Sequence, residues 1–284
     1  MKVIENPHEV FAHVDHWRRE GLRIGFVPTM GALHAGHLSL VTRSNVDCDI
    51  TVASIFVNPT QFAPHEDLTR YPRTLESDLE GLRASHCDLV FVPQPSGLYP
   101  QGFSTYVQPP AIAEPLEGVC RPGHFRGVCT VVLKLFGIAP AHVAYFGKKD
   151  YQQWLVISRM AEDLNLPIRI EGCDTIREPD GLALSSRNRY LNPSQRAAAL
   201  SLRRSLLMSQ DMVNSGIVDI VTLESAIRQN LNETGADRVE YARIVDSETL
   251  AELTELNQPA IALVAAQVGP TRLIDNLIID PPHA

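Results

Sequence analysis

The segment Pro28-Thr29-Met30-Gly31-Ala32-Leu33-His34-Ala35-Gly36-His37 gathers residue types suited to phosphate. Gly31 permits a tight turn, and Gly36 lets a phosphate or purine approach the backbone. Two imidazoles three positions apart at the start of a helix point the same way and can both donate to phosphate oxygens. The helix N-terminus adds unpaired N–H groups and a partial positive charge. The same His-x-x-His spacing can ligate zinc or form a plain surface cap. No third cysteine or acidic ligand stands nearby, so phosphate is the stronger reading and no metal site is assigned.

Three further segments carry chemistry. Leu184-Ser185-Ser186-Arg187-Asn188 offers two hydroxyls and a permanent guanidinium, apt for the outer phosphates of a departing pyrophosphate; the alternative is a polar interdomain loop. Phe56-Val57-Asn58-Pro59-Thr60-Gln61-Phe62 presents neutral amides that can donate to a carboxylate and accept from a hydroxyl, which suits a hydroxy-acid. Ordinary turn chemistry explains Asn58 before proline nearly as well. Gly147-Lys148-Lys149-Asp150-Tyr151-Gln152-Gln153 combines glycine, lysine and a helix start, and Gln153 is placed to meet Gln61. One of Lys148 and Lys149 is expected to be a solvated loop residue.

These segments need elements to hold them. Arg23 to Val27, Ile50 to Val57, Asp88 to Pro93, Val143 to Phe146 and Ile168 to Glu171 read as strands. Gly36 to Val46, Leu75 to Ser85, Gly127 to Gly137 and Asp150 to Leu164 read as helices between them. That alternation predicts an α/β domain over residues 1–175, a Rossmann-like doubly wound parallel sheet with ligands beyond the carboxyl ends of its strands. Over 176–284 a smaller α/β domain is expected. Its helices begin at Asn192-Pro193, where an N-cap precedes a proline at the first helical position, and run again over Thr222 to Asn232. Strands over Val239 to Val245 and Ala260 to Val268 complete it.

Composition narrows the function classes. Among 284 residues 44% are apolar and 20% charged, and the net charge is −8 with no basic block, which disfavours nucleic acid as a partner. Acids and histidines interrupt the N-terminus where a secretory signal would be apolar, and no apolar run approaches the ~20 residues of a membrane span. The five cysteines, Cys48, Cys87, Cys120, Cys129 and Cys173, are scattered and form no CxxC pair. A soluble, cytoplasmic protein is expected.

The HxGH pattern resembles that of a superfamily containing class I aminoacyl-tRNA synthetases and small nucleotidyltransferases. Over essentially the whole chain the sequence more closely resembles the pantoate–β-alanine ligase family. The likeness rests on PTMGALHAGH, FVNPTQF, the Glu66 to Thr74 run, Leu116 to Phe136, FGKKDYQQ and DGLALSSRNRYL. Leu184, where methionine is common, and Pro179 before the DGL turn are small departures.

The resemblance implies condensation of pantoate with β-alanine through a pantoyl-adenylate, releasing AMP and pyrophosphate. It places ATP along Met30, Gly31, Ala32, Leu33, His34, Ala35, Gly36 and His37. It adds Gly147, Lys148, Lys149, Asp150, Ile176, Leu184, Ser185, Ser186 and Arg187. His37, His34, Lys149 and Arg187 become the catalytic groups, with His37 the proton donor or charge stabiliser of adenylation, although the residues alone equally permit His34 or both. Gln61, Gln153 and Asn58 would bind pantoate, and Arg121 and His124 would close over it. Magnesium would bridge phosphate oxygens; its protein ligands are not readable from the sequence, and Asp78 is only a guess. The smaller domain would cover the ATP site, and a homodimer would form through the larger one. A related nucleotidyltransferase is the main rival and would need a different acceptor pocket. A tRNA synthetase fragment is disfavoured by the acidic balance, a non-catalytic nucleotide sensor would show no turnover, and an NAD enzyme would need the GxGxxG that is absent here.

Overall fold

The computed structural model describes residues 1–63, 66 and 68–281. Asp67, within the expected Glu66 to Thr74 run, and residues 282–284 lie outside these. The chain divides into two compact units, Met1–Lys148 with Gln152–Asp174, and Lys149–Tyr151 with Thr175–Ala284. Lys149–Tyr151 belong with the second unit for a local reason. The Asn276 amide donates to the Lys149 carbonyl at 2.9 Å, and the Tyr151 hydroxyl donates to the Ser247 carbonyl at 3.0 Å.

The first unit runs β1 (Lys2–Ile4), α1 (Pro7–Arg19), β2 (Ile24–Thr29), α2 (Ala35–Asp47), β3 (Ile50–Ile55), α3 (Leu75–Ala84) and β4 (Leu89–Phe91). Single-turn α4 (Pro95–Leu98) and α5 (Glu117–Cys120) precede α6 (His124–Ile138), β5 (Val143–Gly147), α7 (Tyr151–Asp163) and β6 (Arg169–Cys173). All six strands are parallel, in the order β1-β4-β3-β2-β5-β6. Alternate residues of each strand face opposite ways, so both faces must be apolar. Phe26, Val52, Leu89, Phe91, Ala144 and Phe146 pack with Val10 and Val14 of α1, Val128 and Leu135 of α6, and Ile157 of α7. Val27, Ala53, Val90, Val143 and Tyr145 pack with Leu40 and Val41 of α2 and Leu82 of α3.

From β2 the chain steps through β3 to β4 on one side, then returns to place β5 on the other. The switch point therefore lies between β2 and β5, where the crevice beyond the strand ends opens. The segments after Thr29 and after Gly147 flank it.

In the second unit α8 (Pro193–Asn214) and α9 (Ile220–Glu233) pack on an antiparallel sheet, β7 (Arg238–Asp246), β8 (Ala260–Val268) and β9 (Thr271–Ile279). Asn192 caps α8 reciprocally with Gln195, and Pro193 stands at the first turn. β1, α1 and β9 were not expected. β1 is only three residues, α1 buries just Val10 and Val14, and the charged Asp275 and polar Asn276 interrupt β9. None of the described helices is long and apolar enough to cross a membrane.

Candidate active site

Past β2 the chain turns sharply. Gly31 and Ala32 both adopt left-handed backbone, with φ of 79° and 52°. For alanine that conformation costs about 1–2 kcal/mol, and a buried carboxylate offsets it. Asp78 of α3, 2% exposed, accepts the Ala32 N–H through Oδ2 and the Leu33 N–H through Oδ1, both at 2.8 Å. Thr74 Oγ1 donates to Oδ1 at 3.0 Å. A side chain on Gly31 would stand 3.0 Å from Oδ2, so the positive φ and the close carboxylate both require glycine there.

The turn delivers His34 as the N-cap of α2. Its Nδ1 accepts the Gly36 N–H at 3.2 Å, while His37 Nδ1 accepts the His34 N–H at 3.4 Å. The rings lie 4.1 Å apart between centroids. An Nδ1 that accepts a backbone N–H leaves the neutral ring's proton on Nε2. Both imidazoles are thus locked in the tautomer whose Nε2–H is a donor, and both are half-buried. A metal held through Nδ1 would have to break this reciprocal cap.

Gln61 and Asn58 sit on a 3₁₀ turn, Pro59–Gln61, after β3. Asn58 is 1% exposed and its amide is fully engaged. Nδ2 donates to Gly127 O at 3.2 Å and Gln61 Oε1 at 3.0 Å; Oδ1 accepts from Thr60 Oγ1 at 2.9 Å and Tyr99 Oη at 2.8 Å. Asn58 is therefore built as a brace that orients the Gln61 amide, whose Nε2 lies 3.1 Å from Met30 Sδ. A Cβ on Gly127 would meet Thr60 O at 2.3 Å, so α6 approaches this turn backbone to backbone.

Arg121 and His124, expected to close over a substrate, support the turn that carries Gln61. Buried His124 donates from Nδ1 to Gln61 O at 2.8 Å and accepts at Nε2 from Arg121 Nη1 at 3.1 Å. Arg121 forks onto Glu66 at 2.9 and 2.7 Å. Burial first, then the Arg121 charge, pushes the His124 pKa down to about 4.

After β5, Gly147 leads to Lys148, whose ammonium lies 5.5 Å from the Trp154 ring and 3.5 Å from Asp174 Oδ1. Lys149 is the less exposed lysine, its ammonium 3.9 Å from Asp150. Gln153 is half-buried, but the Gln61 amide is bonded to Asn58 and Met30 rather than to it. The buried amide of this helix is its neighbour. Gln152 accepts the Glu117 N–H at 3.0 Å and donates to the Ile112 and Pro115 carbonyls at 3.0 and 2.8 Å.

In the second unit Ser185 caps a 3₁₀ turn, Ser186–Tyr190, its Oγ accepting the Arg187 N–H at 3.3 Å and keeping its own proton to donate. Ser186 is buried. Ile176 is exposed, and its carbonyl accepts the Leu184 N–H at 3.0 Å. Asp78, the suggested magnesium ligand, has both oxygens committed to the Met30–His37 loop. Among the described residues no three His, Cys, Asp or Glu side chains converge as a metal cage.

Sequence reasoning missed the clamp by Asp78, the His124 support and the brace by Gln152. The spacing of Asp78 on α3 marks only a helix face, and nothing local announces its partners.

A doubly wound sheet with a doubly capped His-x-Gly-His helix start at its switch point defines a nucleotide-binding α/β protein. The pattern of the pantoate-beta-alanine ligase family matches residues 2–278, and the chain belongs to that family. It is 47% identical over 279 residues to the pantothenate synthetase of Thermotoga neapolitana, covering 98% of this chain and 100% of that relative. With that of Rhodopirellula baltica it is 52% identical over 278 residues, covering 94% and 98%. The crystal structure of pantothenate synthetase from Thermus thermophilus superposes with a TM-score of 0.94 at 43% identity, covering 99% of this chain and all of that one. A pantoate-beta-alanine ligase from Francisella tularensis, crystallised with beta-gamma ATP and beta-alanine, gives 0.82 at 35% identity and covers 98% and 97%.

Proposed function

We propose that this protein is an AMP-forming ligase that joins pantoate to β-alanine at the expense of ATP. The observation that carries the reading is the reciprocal cap of His34 and His37, which engages both Nδ1 atoms with backbone N–H groups at a helix N-terminus. Family membership names the substrates, and the imidazoles supply the chemistry.

In the first step a pantoate carboxylate oxygen attacks the α-phosphorus and pyrophosphate leaves, giving pantoyl-adenylate. Negative charge gathers on the phosphate oxygens, where preset donors are most effective. His34, His37, Lys149, Ser185, Ser186 and Arg187 are the groups assigned to that charge. The nucleotide also runs along Met30–His37, Gly147, Lys148, Asp150, Ile176 and Leu184. Gln61 and Gln153 orient pantoate, and Asn58 acts by holding Gln61. In the second step the β-alanine amine attacks the acyl carbon, AMP leaves, and the nitrogen loses its extra proton. Magnesium is assigned to the phosphates and water, where it offsets charge. A homodimer is the assembly inferred from the resemblance.

The test mixes enzyme, ATP and pantoate with and without β-alanine. Pyrophosphate release should need pantoate alone, and AMP release should need both. ATP turnover without pantoate, or nucleotide left on the final product, would refute the reading. His37→Ala should slow single-turnover adenylate formation by about a hundredfold or more, with a smaller change in ATP affinity.

A further inference from the structure

The turn bearing Ser185, Ser186 and Arg187 is held by side chains to which the reaction above gives no task. Asn188 Nδ2 donates to Glu178 Oε1 at 2.8 Å and to the Ala183 carbonyl at 3.0 Å. Its backbone N–H donates to the Ser185 carbonyl at 3.0 Å. Glu178 belongs to the preceding hairpin, where its N–H donates to the Leu182 carbonyl at 2.8 Å and Arg177 bridges Ala183. The other face of Glu178 takes Arg196 from the first turn of α8, Nη2 to Oε2 at 2.7 Å and Nη1 to Oε1 at 3.2 Å. Arg196 also donates to Asp180 Oδ2, from Nη2 at 2.6 Å and Nε at 3.1 Å.

The Arg196, Glu178 and Asp180 side chains are 34%, 24% and 34% exposed, and ion pairs of that kind stabilise by about 0–1 kcal/mol. Asn188 Oδ1 is buried without a partner, a cost that an apolar residue would avoid. What the bonds do is tie the turn at one end to the hairpin and, through Glu178, to a long capped helix.

We propose that Asn188, Glu178 and Arg196 are positioning residues that preset the Ser185–Arg187 turn for the ATP phosphates. This rests on the phosphate role assigned to that turn. Pre-placed donors cost no reorganisation when charge develops, so the bracket tunes how ATP is held while leaving the other substrates alone.

Steady-state kinetics on the full chain test it. Asn188→Ala should raise the KM for ATP by about fivefold or more while the KM values for pantoate and β-alanine stay within about twofold. Glu178→Ala should behave likewise, whereas Glu178→Gln, which keeps an acceptor for Asn188, should recover most of the loss. In an Arg187→Ala background, adding Asn188→Ala should raise the ATP KM by clearly less than it does in the wild type, because the bracket acts through the turn, on which Ser185 and Ser186 remain. Additive effects, or an unchanged ATP KM in Asn188→Ala, would overturn the proposal. Should Asn188→Ala not fold, equal ATP KM values for Glu178→Ala and Glu178→Gln would overturn it instead. An unchanged ATP KM in Arg187→Ala would bring down the phosphate reading itself, and the bracket with it.

Discussion

At the scale of single residues, the candidate site rests on side chains that support its loops. Asp78 is the clearest, since its carboxylate fills the pocket made by two consecutive N–H groups of the strained turn. Asp78→Asn keeps the shape but turns one acceptor into a donor facing a donor. An unpaired buried N–H costs about 1–3 kcal/mol, so denaturant unfolding should show a loss of that size, and adenylate formation should fall with it. Full activity in a variant so destabilised would separate the clamp from the histidines. His124 makes a prediction in pH. The unfolded chain protonates this imidazole near its ordinary 6.5, whereas the folded chain holds it neutral down to about 4. Below 6.5 the unfolded state therefore binds the extra proton, and stability falls as pH drops from 6.5 to 4, then levels. At about 1.4 kcal/mol for each pH unit, the whole contribution is ~3 kcal/mol. The difference in unfolding free energy between wild type and His124→Gln should shrink across that window. A difference independent of pH would contradict the buried neutral imidazole.

At the scale of elements, two glycines of α6 separate packing from propensity. Gly137→Ala adds a methyl into open space on an exposed face and should stabilise by about 0.5–1 kcal/mol. Gly127→Ala gains the same propensity but drives its methyl to 2.3 Å from Thr60 O, within the turn that carries Gln61. Overpacking of that kind costs about 1–3 kcal/mol, so its melting temperature should fall and its KM for pantoate rise. Matching shifts of one sign in the two variants would contradict the close approach. Elements with strong internal signals were legible in the sequence: β3 and β5 from their apolar runs, α8 from Asn192-Pro193, α2 from its amphipathic stretch. α1 was missed although Asn6 and Pro7 carry the same cap signature, because its apolar stripe is thin and Phe11 is exposed. β9 was missed because a carboxylate in a strand looks like a break. Asp275 is tolerated there because Arg177, distant in sequence, meets it with two bonds at 2.8 and 2.9 Å. The HxGH and Ser185–Arg187 segments stand out in the sequence because their residue types cluster within a few positions. The supports from Asp78, His124 and Gln152 do not, since each joins residues far apart in the chain.

At the scale of the molecule, the chain has separate apolar interiors. Leu202, Leu206, Leu223, Ile227, Val264 and Leu273 form the core of the second unit, sharing no buried member with the cores on either face of the six-stranded sheet. Cooperative unfolding follows shared cores, so heating the ligand-free protein should produce two resolvable transitions. Variants assign them. Arg177→Met leaves the Asp275 carboxylate, 3% exposed, without its partner, which costs about 3–5 kcal/mol. It should lower only the transition of the second unit, while Gly127→Ala should lower only that of the first. Calorimetry of both variants decides the matter: one transition displaced by either substitution would mean the units melt together. ATP should raise the transition of whichever unit holds its phosphates, because a ligand stabilises the state that binds it. Loss of that rise for the second unit in Arg187→Ala, with the first unit's transition unmoved by the substitution, is the outcome expected of a turn that holds phosphate.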